Sequence, residues 1–220
     1  FMDDAQIELM DKAMAETGML SGKQLNKTFS LLRANDMIWS FVINNYLMGK
    51  EPFPFDLLFW NDDATNMPAA MHSFYLRKMY RDNVLKDPGG IRMYDTPIDV
   101  SQIKTPSFFL STREDHIAPW RATYAGAKLF AGKVKFTLAA SGHTAGVVNH
   151  PDRNKYCYWS SNDLPGTPEQ WLDSAKEFQG SWWPYWLKWI KPRNGKMVQA
   201  RKITKFIEKA PGSYVKMRYL

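Results

Sequence analysis

The clearest hydrophobic pattern in the chain predicts a strand, a helix and a second strand between residues 105 and 140. A continuous apolar run, SFFLS, follows Thr105-Pro106 and is typical of a buried strand. A helix is expected over residues 120–130, and Val134–Ala140 predicts the second strand. Because the links between these segments are short, they predict a βαβ unit with two parallel strands and a right-handed crossover.

Upstream of residue 105 the apolar positions favour helices. Ile7, Met10 and Met14 recur at helical spacing, and Gly18 is a suitable stop for that helix. Further helices are expected over residues 36–49 and 69–85. Ten of the twelve Met residues lie in this part of the chain, and Met fills irregular gaps. The composition therefore fits either a mobile lid over an apolar substrate or a loosely packed helical core.

Downstream of residue 140 the pattern predicts too few strands for a complete sheet. Helices are expected to begin at Pro168 and at Tyr185, and one short strand is expected near Tyr214–Met217. Because a parallel sheet needs several strands and cover on both faces, two strands cannot form a stable core. We therefore expect further strands, either from a segment upstream of residue 1 or from another polypeptide.

Composition limits the class of protein. Nine Trp residues predict a substantial core, and no apolar run approaches the roughly 20 residues that a membrane-spanning helix needs. A single Cys is typical of a reducing compartment, and the acidic N-terminal residues differ from the basic start of a signal peptide. These features predict a cytoplasmic protein without a membrane span.

The net charge of +7 is concentrated at the C-terminal end. From Lys188 onward ten Lys or Arg residues accompany one acidic residue, Glu208, so this tail carries +9 and the remainder of the chain −2. A basic tail could contact nucleic acid, a phosphorylated substrate or an anionic surface, or could be a solvated segment. Because no zinc-finger, RNA-recognition or helix-turn-helix pattern accompanies the tail, we expect no nucleic-acid partner.

Two candidate catalytic residues follow the two predicted parallel strands. Asp115 comes just after the first strand, and His143 just after the second. Both loops would meet at the carboxyl edge of the sheet, where open α/β sheets place their ligands. An Asp in that position can hold an imidazole in one tautomer, and His can exchange a proton with a thiol or a hydroxyl. An α/β hydrolase presents its nucleophile first, then the acid and then the His, so the nucleophile would precede both residues.

Other residues that could carry chemistry fit less well. His116 is a rival to His143, but its position is more typical of a packing residue, and the four His residues lack zinc-ligand spacing. We therefore expect no metal site. Cys157, the only thiol, is downstream of both candidates and is flanked two positions away by Lys155 and Trp159, which are too bulky for a nucleophile elbow. No G-x-S-x-G, Walker A or dinucleotide-binding glycine pattern occurs.

Four motifs, in this order, resemble the polyhydroxyalkanoate synthases, most closely the class I enzymes for short-chain monomers: FDLLFWNDDATNMP, STREDHIAPW, SGHTAGVVNHP and GSWWPYW. The resemblance covers essentially the whole chain. It implies an α/β-hydrolase fold in which residues 1–104 form a largely helical cap and residues 105–220 form the C-terminal part of the core. It also implies an acyltransferase that polymerises (R)-3-hydroxyacyl-CoA into polyester granules and releases CoA, and that pairs as a homodimer through the cap.

The resemblance assigns roles to two residues of this chain. Asp115 matches the family's catalytic Asp and His143 its catalytic His, while the nucleophilic Cys of the family belongs to a G-x-C-x-G box expected upstream of residue 1. No cofactor is implied, because the CoA thioester is the substrate, and the chain alone is expected to be inactive. Two alternatives stay open: a non-catalytic dimerisation or granule-binding module, and a fragment of an α/β-hydrolase esterase.

Overall fold

The computed structural model describes residues 3–32, 34–52 and 64–217, which fall into two units. One unit is Val84–Gln199, and the other combines Phe1–Asn83 with Ala200–Leu220. Most of the motif FDLLFWNDDATNMP, at residues 55–63, lies outside the described residues. The assignment of residues 1–104 to a cap and residues 105–220 to a catalytic core stays a prediction.

The unit that includes residues 3–83 is mainly helical. Helix α1, Asp4–Ala15, is capped by Asp3, whose carboxylate accepts the Gln6 N–H at 2.8 Å, and it buries Ile7 together with Met14. Gly18 has a φ of +68° and donates its N–H to the Met14 carbonyl, so it ends the helix as glycine in the left-handed region commonly does. The predicted first helix and its stop are therefore confirmed.

Parts of the other helices predicted for this unit are π-helical rather than α-helical. Helix α2 covers Gly22–Leu32 and helix α3 covers Ala69–Tyr75, while the short strands β1, Met19–Leu20, and β2, Met67–Pro68, pair in antiparallel fashion. The expected helix over residues 36–49 consists of two π-helical segments, Asn35–Trp39 and Val42–Leu47. The expected helix over residues 69–85 continues beyond α3 as a third π-helical segment, Leu76–Arg81.

The predicted strand near Tyr214–Met217 is wrong. Tyr214–Lys216 forms a 3₁₀ turn, and residues 194–213 contain neither helix nor strand. The turn is closed by the N–H groups of Lys216 and Met217, which donate to the carbonyls of Ser213 and Tyr214 at 3.0 and 3.1 Å. These local hydrogen bonds use N–H groups that a strand would pair with a neighbour.

A four-stranded sheet organises the unit Val84–Gln199, preceded by the hairpin of β3, Ile91–Met93, and β4, Thr96–Ile98. The strands of the sheet are adjacent in chain order: β5, Ser107–Thr112; β6, Val134–Ala139; β7, Cys157–Ser160; β8, Lys176–Gln179. Strands β5 and β6 are parallel, as the sequence predicts. Strands β7 and β8 add two antiparallel neighbours that the hydrophobic pattern did not reveal.

Three helices accompany the sheet. Helix α4, Trp120–Ala127, is the crossover between β5 and β6 and is three residues shorter than expected. Helix α5, Pro168–Ser174, begins where predicted, because Thr167 and Gln170 form a reciprocal capping box and Pro168 occupies the first helical position. Helix α6, Trp183–Ile190, begins two residues before the expected Tyr185.

Aromatic side chains cover both faces of the sheet. On one face Phe136 of β6 is fully buried between Tyr124 of α4 and Trp171 of α5, at ring-centroid distances of 5.1 and 4.9 Å with edge-to-face geometry. On the other face Phe108 of β5 contacts α6, where its ring lies 5.3 Å from that of Trp189. This packing fixes β5 and β6, and therefore the two loops that follow them.

Candidate active site

Parallel register brings Asp115 and His143 together at one edge of the sheet. Thr112 and Ala139, the last residues of β5 and β6, are paired across the two strands. Three residues beyond Thr112 and four beyond Ala139, Asp115 Oδ2 lies 2.8 Å from His143 Nδ1. With the carboxylate ionised, the proton lies on Nδ1, and the Nδ1–H donates a hydrogen bond to Asp115 Oδ2, so that Nε2 is the basic nitrogen.

The Asp115 carboxylate is held by a complete set of hydrogen bonds. Its Oδ1 accepts the backbone N–H groups of Ile117 and Ala118, both at 2.9 Å, and the Thr112 hydroxyl donates to Oδ2 at 3.3 Å. Burial acts to raise the pKa of Asp115, but the hydrogen bonds from Ala118, His143 and Ile117 outweigh it and hold this pKa below its ordinary value. Asp115 is therefore a fixed negative partner for His143 at neutral pH.

The two side chains differ in their access to solvent. The Asp115 side chain is 8% exposed, whereas that of His143 is 49% exposed. A buried acid beneath an accessible imidazole is the arrangement that a general base needs, because the acid orients the ring while the ring meets the reacting group. The pair can take a proton at His143 Nε2 and return it.

Gly146 allows the loop that carries His143 to lie close to the sheet. A Cβ at this position would come within 2.5 Å of Thr112 Cγ2 and 2.6 Å of the Ala140 carbonyl oxygen. Any side chain would therefore push the loop away from β5 and β6. The close approach keeps His143 beside Asp115 at the edge of the sheet.

Further anchors of this loop could not be foreseen from the hydrophobic pattern. Asn149 and Ser181 are both 5% exposed, and the Ser181 hydroxyl donates to the Asn149 carbonyl. The Ser181 N–H donates to Asn154 Oδ1 at 3.3 Å. Asn149 lies in the motif SGHTAGVVNHP and Ser181 in the motif GSWWPYW, and these motifs are the sequence signals for the two residues.

The structure keeps the rival residues apart from this pair. His116 is exposed and makes no hydrogen bond with Asp115 in the described part of the chain, and His150 Nδ1 instead accepts the Asp152 N–H at 3.2 Å. His72 lies in the helical unit, where burial lowers its pKa. Among the residues that the structure describes, no group of three or more His, Cys, Asp or Glu could hold a metal ion.

Cys157 is poorly suited to nucleophilic attack. It is the first residue of β7, and burial, followed by the charge and hydrogen bond of Glu177, raises the pKa of its thiol. Because the thiolate is the reactive form, a raised pKa makes the nucleophile scarce at neutral pH. The physical environment of Cys157 thus agrees with the objection from its position in the sequence.

Replacement of Asp115 by Asn is expected to destabilise the chain more at about pH 5 than at about pH 2.5. Because the folded-state pKa of Asp115 lies below its ordinary value of 3.8, ionised Asp115 stabilises the fold above that value, and this contribution disappears as the pH falls through the folded-state pKa. Urea denaturation of both proteins at each pH measures the difference in unfolding free energy. An equal difference at the two pH values would contradict the hydrogen-bonded carboxylate as a source of stability.

Comparison with known proteins gives independent information on the fold that carries these two residues. The family model described as the alpha/beta hydrolase fold matches residues 4–149, a range that includes Asp115 and His143. Among the described residues, no helix is both long and apolar enough to cross a membrane.

Three relatives share extensive identity with the chain. The poly(3-hydroxyalkanoate) polymerase subunit PhaC of Rhizobium meliloti is 46% identical over 99% of this chain and 36% of its own length. The subunits of the same name from Rhizobium etli and Cupriavidus necator are 45% and 43% identical, again over 99% of this chain, and over 35% and 39% of their own lengths. The chain thus spans between about a third and two-fifths of these relatives.

These matches confirm the resemblance to polyhydroxyalkanoate synthases that the four motifs indicated. The range covered by the family model and the parallel strands β5 and β6, each followed by one member of the Asp–His pair, agree on the fold. The chain belongs to the alpha/beta hydrolase fold family.

Proposed function

We propose that this chain is the part of a polyhydroxyalkanoate synthase that supplies the acid and the histidine of a Cys-His-Asp triad. The observation that carries the proposal is the 2.8 Å contact between Asp115 Oδ2 and His143 Nδ1 at the carboxyl edge of two parallel strands. It is supported by the identity of 43–46% to proteins named poly(3-hydroxyalkanoate) polymerase subunit PhaC.

The proposed reaction begins with transfer of the acyl group to a cysteine. His143 Nε2 takes the proton of a Cys thiol in the upstream G-x-C-x-G box, and the thiolate attacks the carbonyl carbon of an (R)-3-hydroxyacyl-CoA thioester. The C–S bond to CoA breaks as His143 returns the proton to the departing sulfur. Asp115 stabilises the imidazolium that exists between these two proton transfers.

Chain growth uses the same pair a second time. A 3-hydroxyl group attacks the acyl-cysteine carbonyl while His143 Nε2 takes the hydroxyl proton, and an ester bond forms as the cysteine thiol regains that proton. The reaction needs no cofactor beyond the CoA thioester that it consumes. Asp115 can serve this step as well, either by orienting His143 or by helping to activate the hydroxyl.

Assembly and location belong to the proposal as well. Residues 1–104 would cap the site and pair with a second copy of the protein. The polymerase would lie at the surface of cytoplasmic polyester granules. A dry site under a cap would protect the acyl-cysteine from water and favour chain growth over hydrolysis.

A non-catalytic dimerisation or granule-binding role is the second candidate function. It is favoured by the apolar side chains that the helical unit exposes, among them Leu31, Tyr46 and Leu47 at 70%, 83% and 68%. Exposed apolar surface of this kind contacts proteins or polymers. A chain that stays monomeric in light scattering and does not bind polyester granules would argue against this role.

A chimera tests the catalytic proposal. Residues 1–220 replace the matching region of the Rhizobium meliloti relative, and CoA release from 3-hydroxybutyryl-CoA is followed with a thiol reagent. We expect CoA release and polyester from the chimera, and neither from the chain alone. A chimera that folds, as judged by circular dichroism, but releases no CoA would contradict the proposed function, and CoA release by the chain alone would contradict the division of the triad.

A further inference from the structure

We infer that an apolar cleft beside the His143 loop binds the uncharged aliphatic acyl chain of a hydroxy ester. The cleft has a volume of about 370 Å³ and is lined by Val147, Val148, Trp182, Trp183, Trp186 and Leu187. The inference rests on the proposed function, because it names the part of the molecule that would hold the substrate or the growing polyester.

The sheet topology places this cleft at the same edge as the Asp–His pair. Strand β8 ends at Gln179, which pairs with Cys157 at the beginning of β7. The Ala140 N–H donates to the Cys157 carbonyl, so β8 ends level with the end of β6. Because Trp182 follows Gln179 by three residues, helix α6 begins at the edge from which the His143 loop extends.

The loop itself connects the cleft to His143. The Gly146 N–H donates to the Gly142 carbonyl at 3.0 Å, and the N–H groups of Val147 and Val148 both donate to the Thr144 carbonyl, at 3.2 and 2.9 Å. These hydrogen bonds fold residues 142–148 into tight turns. Val147 and Val148, which line the cleft, therefore lie in the same short turn segment as His143.

The chemistry of the lining selects an uncharged ligand. The indole N–H groups of Trp182 and Trp183 both donate to the Val147 carbonyl, at 3.2 and 2.9 Å, so they are not available to a polar ligand. None of the six lining side chains carries a charge. A carboxylate or a CoA phosphate would lose its hydration in such a cleft without compensation, whereas an aliphatic ester would lose little.

One polar group in the lining is left for the ester itself. Within the described residues the Trp186 indole N–H makes no hydrogen bond, and this side chain is 37% exposed. An indole N–H is a donor only, so it suits a carbonyl or hydroxyl oxygen and gives no advantage to a pure hydrocarbon. The volume is at the small end for ligand pockets, which fits a short ester segment.

Fluorine NMR of the chain labelled with 5-fluorotryptophan tests this inference without any catalytic activity. The probe is the methyl ester of the linear dimer of (R)-3-hydroxybutyrate. Saturable shifts are expected for the resonances of Trp182, Trp183 and Trp186, whereas Trp120 and Trp171 in the opposite core keep their resonance positions. Single Trp→Phe variants assign each resonance.

A matched pair of variants makes the test specific. Leu187→Lys places a charge in the cleft at a position that is 54% exposed, and it is expected to weaken ester binding at least tenfold. Leu129→Lys changes a 37% exposed leucine elsewhere in the same unit and is expected to leave the affinity unchanged. Equal binding by the Leu187→Lys variant would overturn the inference.

Other outcomes also decide the matter. The cleft is not an ester site if none of its three resonances shifts up to the solubility limit of the probe, or if the shifts fall only on other Trp residues. Shifts that depend on protein concentration without ester would assign the cleft to a second copy of the chain. Binding of the ester needs no cysteine, so the two proposals can fail separately. Saturable shifts together with a folded but inactive chimera would refute the proposed function alone. An active chimera without shifts would refute only the inference that the cleft binds an ester.

Discussion

Replacement of His143 by Ala in the chimera is expected to lower the rate of CoA release about 10⁴-fold, the order of magnitude of triad losses in serine proteases. The imidazole contacts the buried Asp115 carboxylate and is itself 49% exposed, so it can reach a reacting group. Without it, the thiol must ionise unaided and the departing CoA sulfur has no proton donor. The rate is measured at saturating 3-hydroxybutyryl-CoA, so that weaker substrate binding does not enter the comparison.

His116→Ala is the matched control for this prediction. His116 is adjacent to Asp115 in the sequence, is exposed, and makes no hydrogen bond with either side chain of the pair in the described structure. Its replacement is expected to leave the rate of CoA release close to that of the parent chimera. Near-parental activity of His143→Ala, or an equal loss in the two variants, would remove His143 from the proposed mechanism.

The sequence was sufficient to place the candidate pair because two independent patterns coincide. Continuous apolar runs identify β5 and β6, which are buried parallel strands, and a helix between them makes the parallel arrangement almost obligatory. In-register parallel strands end at the same edge, so residues a few positions beyond each end must lie close together. The catalytic role of the pair stays a proposal that the chimera can test.

Strands β7 and β8 escaped prediction because each has only four residues. The segment Lys176–Gln179 contains one apolar residue, and the apolar run that leads into β7, residues 156–159, is too short to indicate a strand by itself. Their stability comes from pairing with β6 and with each other, which is a tertiary property. They add, from within this chain, two strands at one edge of the sheet, whereas the hydrophobic pattern alone predicts that the missing strands come from elsewhere.

The π-helical segments are a second feature that periodicity could not give. Residues 35–47 repeat apolar side chains closely enough to predict a helix, but a change from four-residue to five-residue hydrogen bonds depends on local packing. Asn149 and Ser181, which anchor the His143 loop, were also missed, because only the folded chain brings their polar atoms together.

Replacement of Phe136 by Ala is expected to lower the free energy of unfolding by about 3–5 kcal/mol. Phe136 is fully buried in the middle of β6, where its ring contacts both Tyr124 and Trp171. Removal of the ring leaves a cavity that rigid aromatic neighbours cannot fill. Urea denaturation of the chain, followed by near-ultraviolet circular dichroism, measures the loss. Phe206→Ala, at a position that is 66% exposed, is the control and should change the stability by less than about 0.5 kcal/mol.

Phe136→Leu keeps this prediction testable if the Ala variant does not fold. Leu retains much of the buried volume, so a smaller loss of stability than in the Ala variant is expected. A urea denaturation midpoint equal to that of the parent would contradict the role of the ring in the core. Because Phe136 packs beneath the sheet while His143 lies beyond the end of β6, the Leu variant of the chimera should release CoA at the parental rate below its unfolding transition. His143→Ala should have the opposite effect: its denaturation midpoint stays at the parental value, while its rate of CoA release falls. The two variants together separate the residues that stabilise the loops from those that act in them.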